Sequence, residues 1–210
     1  QTRSYSPSRG RPGDFATWDT SPPRSSSGWE GCRSTRSLAL SPSPCYPPET
    51  PKSQILSDDD VTTFSCGNED VDAWLRDRAK RARAQGSALT YVTFDEDGST
   101  AGFYALSAVF VARNEVVGGW LRRNALRDIP CVLLGMLGAD RCHHCQGLGS
   151  QLLRDATLRA VAASDVIGAR ALVVDPADDG ARRFYERYGF KALPGTERMY
   201  VPLARRWRAR

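Results

Sequence analysis

No apolar run in these 210 residues approaches the length needed to cross a bilayer, so no membrane role is expected. No apolar h-region interrupts the polar residues 1–30, so no secretory signal is expected. Nothing else points to an oxidising compartment. The six cysteines (Cys32, Cys45, Cys66, Cys131, Cys142 and Cys145) are therefore read as reduced thiols of a cytoplasmic protein. A chain this long and well patterned does not need disulfide staples. No internal repeat is visible.

Charge is present but unevenly spread. The net charge is +5, yet residues 53–204 carry eighteen basic groups against twenty acidic ones. The excess lies at the ends. Residues 1–52 hold seven basic and four acidic groups, and residues 205–210 add four arginines. A local basic cluster is thus more informative about nucleic acid than the total charge. Residues 1–52 also carry eleven serines and nine prolines. Such a segment buries too little apolar surface to offset its ordering entropy, so it is read as a disordered extension. A folded domain is expected over 53–204, followed by a basic tail, 205–210.

Within that domain, Asn68 is placed to cap a helix whose first turn is acidic and last turn basic. Val71, Trp74, Leu75 and Ala79 form its buried face. Arg76, Arg78, Lys80, Arg81 and Arg83 form a cationic outer face, a solvated surface or a contact for a nucleic-acid backbone. Strands are expected at 88–94 and 101–111 around the glycine-bearing loop Asp95-Glu96-Asp97-Gly98-Ser99-Thr100. A connector with Gly118, Gly119, Trp120, Arg122 and Arg123 leads to Ile129-Pro130. An apolar strand from Cys131 then feeds a short loop with Gly147 and Gly149. A helix starts at once, with Leu148, Leu152, Ala156, Ala160 and Ala163 on one face. A further strand at 171–175 precedes a helix around residues 181–188, capped by Asp178 or Asp179 and closed by Gly189. A last strand covers 199–203. Antiparallel strands followed by strand–helix–strand–helix–strand make an α/β (α+β) domain with a mixed sheet.

The strand–glycine loop–helix unit has a chemistry of its own. The first N–H groups of a helix lack partners and the dipole there favours negative charge. Glycines let the backbone close on a phosphate. A pyrophosphate-bearing ligand is expected.

Gln146-Gly147-Leu148-Gly149 after an apolar strand, then Phe184-Tyr185-Glu186-Arg187-Tyr188-Gly189-Phe190, resembles the GNAT superfamily of acetyl-CoA-dependent N-acyltransferases. The block Phe64-Ser65-Cys66-Gly67 with Val71-Asp72-Ala73-Trp74-Leu75, Gly86-Ser87 before a strand, and Ile129-Pro130 before Leu134-Gly135-Met136-Leu137 is similar to the acetyltransferase toxins of type II toxin–antitoxin modules. The resemblance spans about residues 55–204. It implies the GNAT fold, a central mixed and mostly antiparallel sheet flanked by helices.

For the site, the resemblance implies that the loop His144, Cys145, Gln146, Gly147, Leu148, Gly149 and Ser150 cradles the pyrophosphate of acetyl-CoA with backbone N–H groups. His144 stands where the family has Gln or Arg, and Cys145 where it usually has glycine. Met136 stands where toxin relatives often have Arg. The strand through Leu137, Gly138 and Ala139 is implied to pair with the pantetheine arm, with one N–H polarising the thioester carbonyl. Tyr185 is implied to serve the leaving thiolate, although an aromatic pair on a short helix, taken alone, reads as core with Phe184 inward. No general base is evident. A water chain or the amine's own low pKa would suffice. Aminoacyl-tRNA is the implied acceptor, with Arg76 to Arg83, Arg182, Arg183 and the arginine tail as its surface. A ribbon-helix-helix antitoxin and a homodimer are the implied assemblies.

Cys142-His143-His144-Cys145 admits two other readings, a zinc site and a thiol oxidoreductase. Four adjacent residues cannot all reach one tetrahedral ion, and no second ligand pair stands at normal spacing. The motif lies late in the chain and leads into a phosphate-type loop, so no metal is expected. Two rivals keep the fold: an enzyme acetylating a small amine or protein N-terminus, and a degenerate domain that binds RNA or a partner without catalysis.

Overall fold

The computed structural model describes residues 51–57, 61–112 and 127–203. The extension up to residue 50, the 118–123 connector and the tail 205–210 lie outside these described residues.

Strand β1 (Ser53–Ile55) is followed by the helix pair α1 (Glu69–Ala73) and α2 (Ala79–Ala84), joined by a π-helical turn at Trp74–Arg78. Then come β2 (Leu89–Phe94), β3 (Thr100–Ala112) and β4 (Asp128–Ala139). Helix α3 (Leu148–Ile167), β5 (Ala171–Val174), α4 (Asp179–Arg187), β6 (Lys191–Ala192) and β7 (Met199–Pro202) complete the domain. The sheet order is β1-β2-β3-β4-β5-β7-β6. Among the described residues only the β4–β5 pair is parallel. The mixed, mostly antiparallel sheet expected from the sequence is present. Three features differ from expectation. β1 and β6 are additional edge strands of three and two residues. β4 begins at Asp128, before Ile129-Pro130.

Asn68 caps α1 through its side chain, accepting from the N–H groups of Asp70 (3.0 Å) and Val71 (3.2 Å). Val71, Leu75 and Ala79 are buried, at successive steps of four. On a regular helix that step overshoots by roughly 40° each time. The π turn under-rotates and keeps the three on one line.

The two faces of the sheet carry different helices. On one face Phe64, Val71, Leu75 and Ala79 pack on Val92, Phe103, Ala105 and Met136. On the other, Leu152, Leu153, Ala156 and Ala160 of α3 pack with Tyr104, Leu134, Leu137, Leu172 and Val174. Tyr104 donates to the Asp155 carboxylate, which also takes Arg159 Nε at 3.1 Å. Arg159 reaches the Ser53 carbonyl at 3.1 Å and lies 4.2 Å above the Tyr91 ring. One ion-paired cluster thus clamps α3 to β1, β2 and β3.

The β3–β4 register slips between Ala105 and Leu106, leaving Gly135 as the extra residue of a β-bulge. β4 pairs with β5 only over Val132–Leu134. Beyond the bulge, residues 135–139 have β3 on one side and no described strand on the other. A bulge bends the strand that carries it, and here it opens the sheet between β4 and β5.

Candidate active site

The open side of β4 exposes particular backbone groups. Asp140 N donates to Ala101 O at 2.8 Å, so the facing residues 140 and 101 form a hydrogen-bonded pair. Such pairs alternate along an antiparallel ladder. Gly138 and Met136 therefore direct their backbone groups to β3, while Leu137 and Ala139 direct theirs to the opening. His144 agrees with this, since its Nε2 meets the Ala139 carbonyl at 3.0 Å. Gly138 serves packing: a Cβ there would lie 2.9 Å from Phe103 Cε1 and 3.3 Å from both Phe64 Cζ and Val71 Cγ1.

At the end of β4 the chain enters the glycine loop. Asp140 caps a 3-10 turn, Arg141–His143, by accepting from Cys142 N at 2.9 Å, and also accepts from Ser65 N at 3.0 Å. Desolvation pushes its pKa up, but the Ser65 and Cys142 bonds outweigh it and hold the carboxyl below its ordinary value. His144 is extended (φ −62°, ψ 150°), Cys145 is left-handed (φ 60°), and Gln146 N returns to His143 O at 3.4 Å. This is the geometry of a type II turn, whose third position favours glycine. Gly147 is also left-handed, at φ 86°.

Of the N–H groups expected to cradle an anion, those of His144, Gln146 and Ser150 are already engaged, with Arg141 O, His143 O and Gly147 O. Those of Cys145, Gly147, Leu148 and Gly149 meet no acceptor among the described residues. The side chains of Gln146 and Ser150 hold the loop through Cys142 O (2.8 Å) and Gly147 O (2.6 Å). The result is a short fan of N–H groups at the start of α3, next to the open end of β4. Such a fan suits a pyrophosphate.

The two histidines diverge. His143 pairs with Asp95 at 3.1 Å, whereas His144 turns to Ala139. Among the described residues no group of three or more His, Cys, Asp and Glu side chains is placed to hold a metal ion.

Tyr185 is 4% exposed, sharing the α3-side core with Leu137, Val174 and Met199. Phe184 is only half-buried and meets the rings of Tyr185 (5.3 Å) and Tyr188 (5.1 Å). The inward member of the pair is therefore Tyr185. A helix of nine residues, capped by Asp178 (2.7 Å to Ala181 N), presents this side to the sheet. Burial foremost, and the Asp175 carboxylate second, push the Tyr185 hydroxyl well above the ordinary tyrosine range. Asp175, just past β5, is held by Arg198 at 2.9 and 3.3 Å.

The Phe64–Gly67 block has a physical role that the sequence did not disclose. Asp72 accepts from Ser65 Oγ (3.0 Å) and Cys66 N (2.9 Å), and Ser65 O accepts from Arg141 N (2.9 Å). The block ties α1 to the entrance of the glycine loop. The basic residues of α1–α2 are all exposed. Arg76 pairs with Glu69 at 3.2 Å, and Arg83 donates to the Leu56 carbonyl.

A sheet opened beside a bulged strand, with an N–H fan at its mouth, defines an acyl-CoA transferase site, and the chain belongs to the GNAT acetyltransferase family. Residues 89–192 match the acetyltransferase (GNAT) domain. The chain is similar to the tRNA-acetylating toxin of Mycobacterium tuberculosis, with 43% identity over 150 residues, 71% of this chain and 89% of that protein. Among solved structures it is similar to AtaT complexed with acetyl-methionyl-tRNAfMet (26% identity, TM-score 0.66, 71% of this chain and 93% of that one). It is likewise similar to a tyrosine-to-phenylalanine variant of AtaT bound to the C-terminus of the antitoxin AtaR and acetyl-CoA (26% identity, TM-score 0.60, 72% and 92%).

Proposed function

We propose that this chain transfers the acetyl group of acetyl-CoA to the α-amine of the amino acid carried by charged tRNA, and so acts as a toxin that blocks translation. What carries the reading is the open side of β4, where Leu137 and Ala139 offer backbone groups next to the unpartnered N–H groups of the glycine loop. The similarity to a tRNA-acetylating toxin and to AtaT with acetyl-methionyl-tRNAfMet supports the acceptor.

The residues divide the work. The N–H groups of Cys145, Gly147, Leu148 and Gly149 receive the pyrophosphate, with Gln146, Ser150 and His144 shaping the loop around them. Leu137 and Ala139 align the pantetheine arm as an added strand, and an N–H there stabilises negative charge on the thioester oxygen. Gly138 keeps β4 seated on Phe64, Phe103 and Val71. Tyr185 stays protonated and donates a hydrogen bond to the thiolate as it leaves.

Arg76, Arg78, Lys80, Arg81 and Arg83, with Arg182 and Arg183, supply the surface for the tRNA backbone. The partner is an antitoxin, as for AtaT with AtaR. Residues 53–204 form the catalytic unit, with residues 1–52 and 205–210 outside it. The cytoplasm, where charged tRNA and acetyl-CoA meet, is the working compartment.

The test is transfer of labelled acetyl from acetyl-CoA to total charged tRNA by wild type and Tyr185→Phe. Wild type labels the tRNA. Tyr185→Phe should lose about 10²–10⁴ in rate, the usual worth of a positioned proton donor, with acetyl-CoA binding retained. Undiminished labelling by the variant removes the role given to Tyr185. Acetyl-CoA turnover without label on tRNA would place a small amine ahead.

A further inference from the structure

The glycine loop holds two exposed free cysteines, Cys142 and Cys145, at opposite ends of the same pair of turns. Neither has a task in acetyl transfer through its thiol. Cys145 sits at the left-handed corner of the type II turn, the position that aims the N–H groups after it. Cys142 sits in the 3-10 turn before it, its N–H fixed by Asp140 and its carbonyl by the Gln146 side chain. The other described cysteines are shielded. Cys66 is more than half buried, with its thiol pushed up to about 12 by burial first and Asp72 second. Cys131 is buried in the sheet, and its thiol is pushed up to about 11 by burial.

We propose that Cys142 and Cys145 form a thiol–disulfide pair whose oxidation by an anionic low-molecular-weight disulfide switches off acetyl-CoA binding. The proposal rests on the reading that this loop binds acetyl-CoA. The N–H fan that suits a pyrophosphate also draws an anionic disulfide to the loop. The chemistry is two exchanges. The thiolate of Cys145 attacks the small disulfide, forming a mixed disulfide and releasing one small thiolate. The thiolate of Cys142 then attacks the Cys145 sulfur, closing Cys142–Cys145 and releasing the second. The protein loses two electrons and two protons, and the small disulfide becomes two thiols.

Closure demands Cα atoms within about 7 Å and Cβ atoms within about 4.5 Å. It ties the corner of the type II turn to the preceding 3-10 turn. The orientation of the Cys145, Gly147, Leu148 and Gly149 N–H groups is then set by the cross-link rather than by the His143–Gln146 bond. A left-handed cysteine is already strained, so the reduced loop gives up little in leaving its turn.

Two readouts test this on the full chain, after incubation with oxidised glutathione or with dithiothreitol. Trypsin cuts after Arg141 and Arg154, so both cysteines fall in one peptide free of the other four. In the oxidised sample that peptide should lose two hydrogens. Acetyl-CoA affinity by calorimetry should fall at least about tenfold, return with dithiothreitol, and be insensitive to glutathione in Cys142→Ser/Cys145→Ser. A peptide that stays dithiol overturns the proposal, as does an internal disulfide with unchanged affinity. Failure of the reduced protein to bind acetyl-CoA overturns the cofactor reading and the switch with it, and the peptide mass then still reports whether the thiols pair.

Discussion

A left-handed backbone costs an L side chain about 1–2 kcal/mol, and the glycine loop spends that at Cys145 while giving Gly147 the adjacent left-handed position. Gly138 is a glycine for a different reason. Its backbone points to β3, and the space a Cβ would need is filled by Phe103, Phe64 and Val71. Gly138→Ala should therefore cost about 1–3 kcal/mol through overpacking, read as a lower midpoint of urea unfolding with an unchanged slope. A midpoint equal to wild type would show that α1 yields freely. Tyr185 and Phe184 illustrate the same point about neighbouring residues. Taken alone, the pair reads as core with Phe184 inward, and the structure reverses this: Tyr185 is the buried ring, in a core shared with Met199, Phe190 and Val174, and Phe184 is half-buried beside it.

At the scale of elements, the unusual feature is how the loop before α1 is joined to the loop after β4. Ser65 and Cys66 meet Asp72 on one side, and Ser65 also meets Asp140 and Arg141 on the other. Asp72→Ala leaves Ser65 Oγ and Cys66 N without this acceptor. The loss should be about 1–3 kcal/mol, the cost of unpaired polar groups at a half-buried site. It should also weaken acetyl-CoA binding, because the entrance to the glycine loop is then held at fewer points. Calorimetry and thermal unfolding of this variant check the two effects separately. Unfolding without a loss of affinity would mean that Asp140 alone fixes the loop. α3 is secured independently, through Asp155 and Arg159 to Tyr104, Tyr91 and Ser53. The N–H fan at its start is thereby referenced to the β1–β3 half of the sheet.

At the scale of the whole molecule, the domain is nearly balanced in charge, and five of its eighteen basic groups lie exposed on the helix pair α1–α2 within eight residues of one another. That helix pair covers the back of the strand segment whose edge is open, through Val71 against Gly138. A polyanion lying along it would run beside the site. Arg78→Glu/Arg81→Glu should raise KM for charged tRNA by about tenfold or more and flatten its salt dependence by about two charges' worth of slope, with acetyl-CoA affinity unchanged. Arg83 is omitted because it also holds the Leu56 carbonyl. An unaltered salt slope would move the tRNA surface elsewhere, with Arg182 and Arg183 next in line.

Periodicity and capping chemistry, which are local, made most of the fold legible in the sequence. The Asn68 cap, the 71-75-79 stripe, the hairpin around Gly98, the apolar strand into a glycine loop and a cap at Asp178 or Asp179, which the structure assigns to Asp178, are each written in a few neighbouring residues. The anion-binding nature of the loop was legible for the same reason, and the family resemblance added acetyl-CoA and Tyr185. Other features depend on contacts between residues far apart in the chain. The two-residue β6 and three-residue β1 exist only because β7 and β2 offer an edge. The bulge at Gly135, the resulting gap between β4 and β5, and the outward turn of the Leu137 and Ala139 backbones all follow from register, whereas the reduction of the N–H fan to four groups comes from turn bonds inside the loop. Register is a property of paired strands rather than of either strand alone. The sequence by itself determined which segments fold and that one of them can hold an anion. The tertiary structure decided where the sheet opens, and hence which backbone groups are free to meet a ligand.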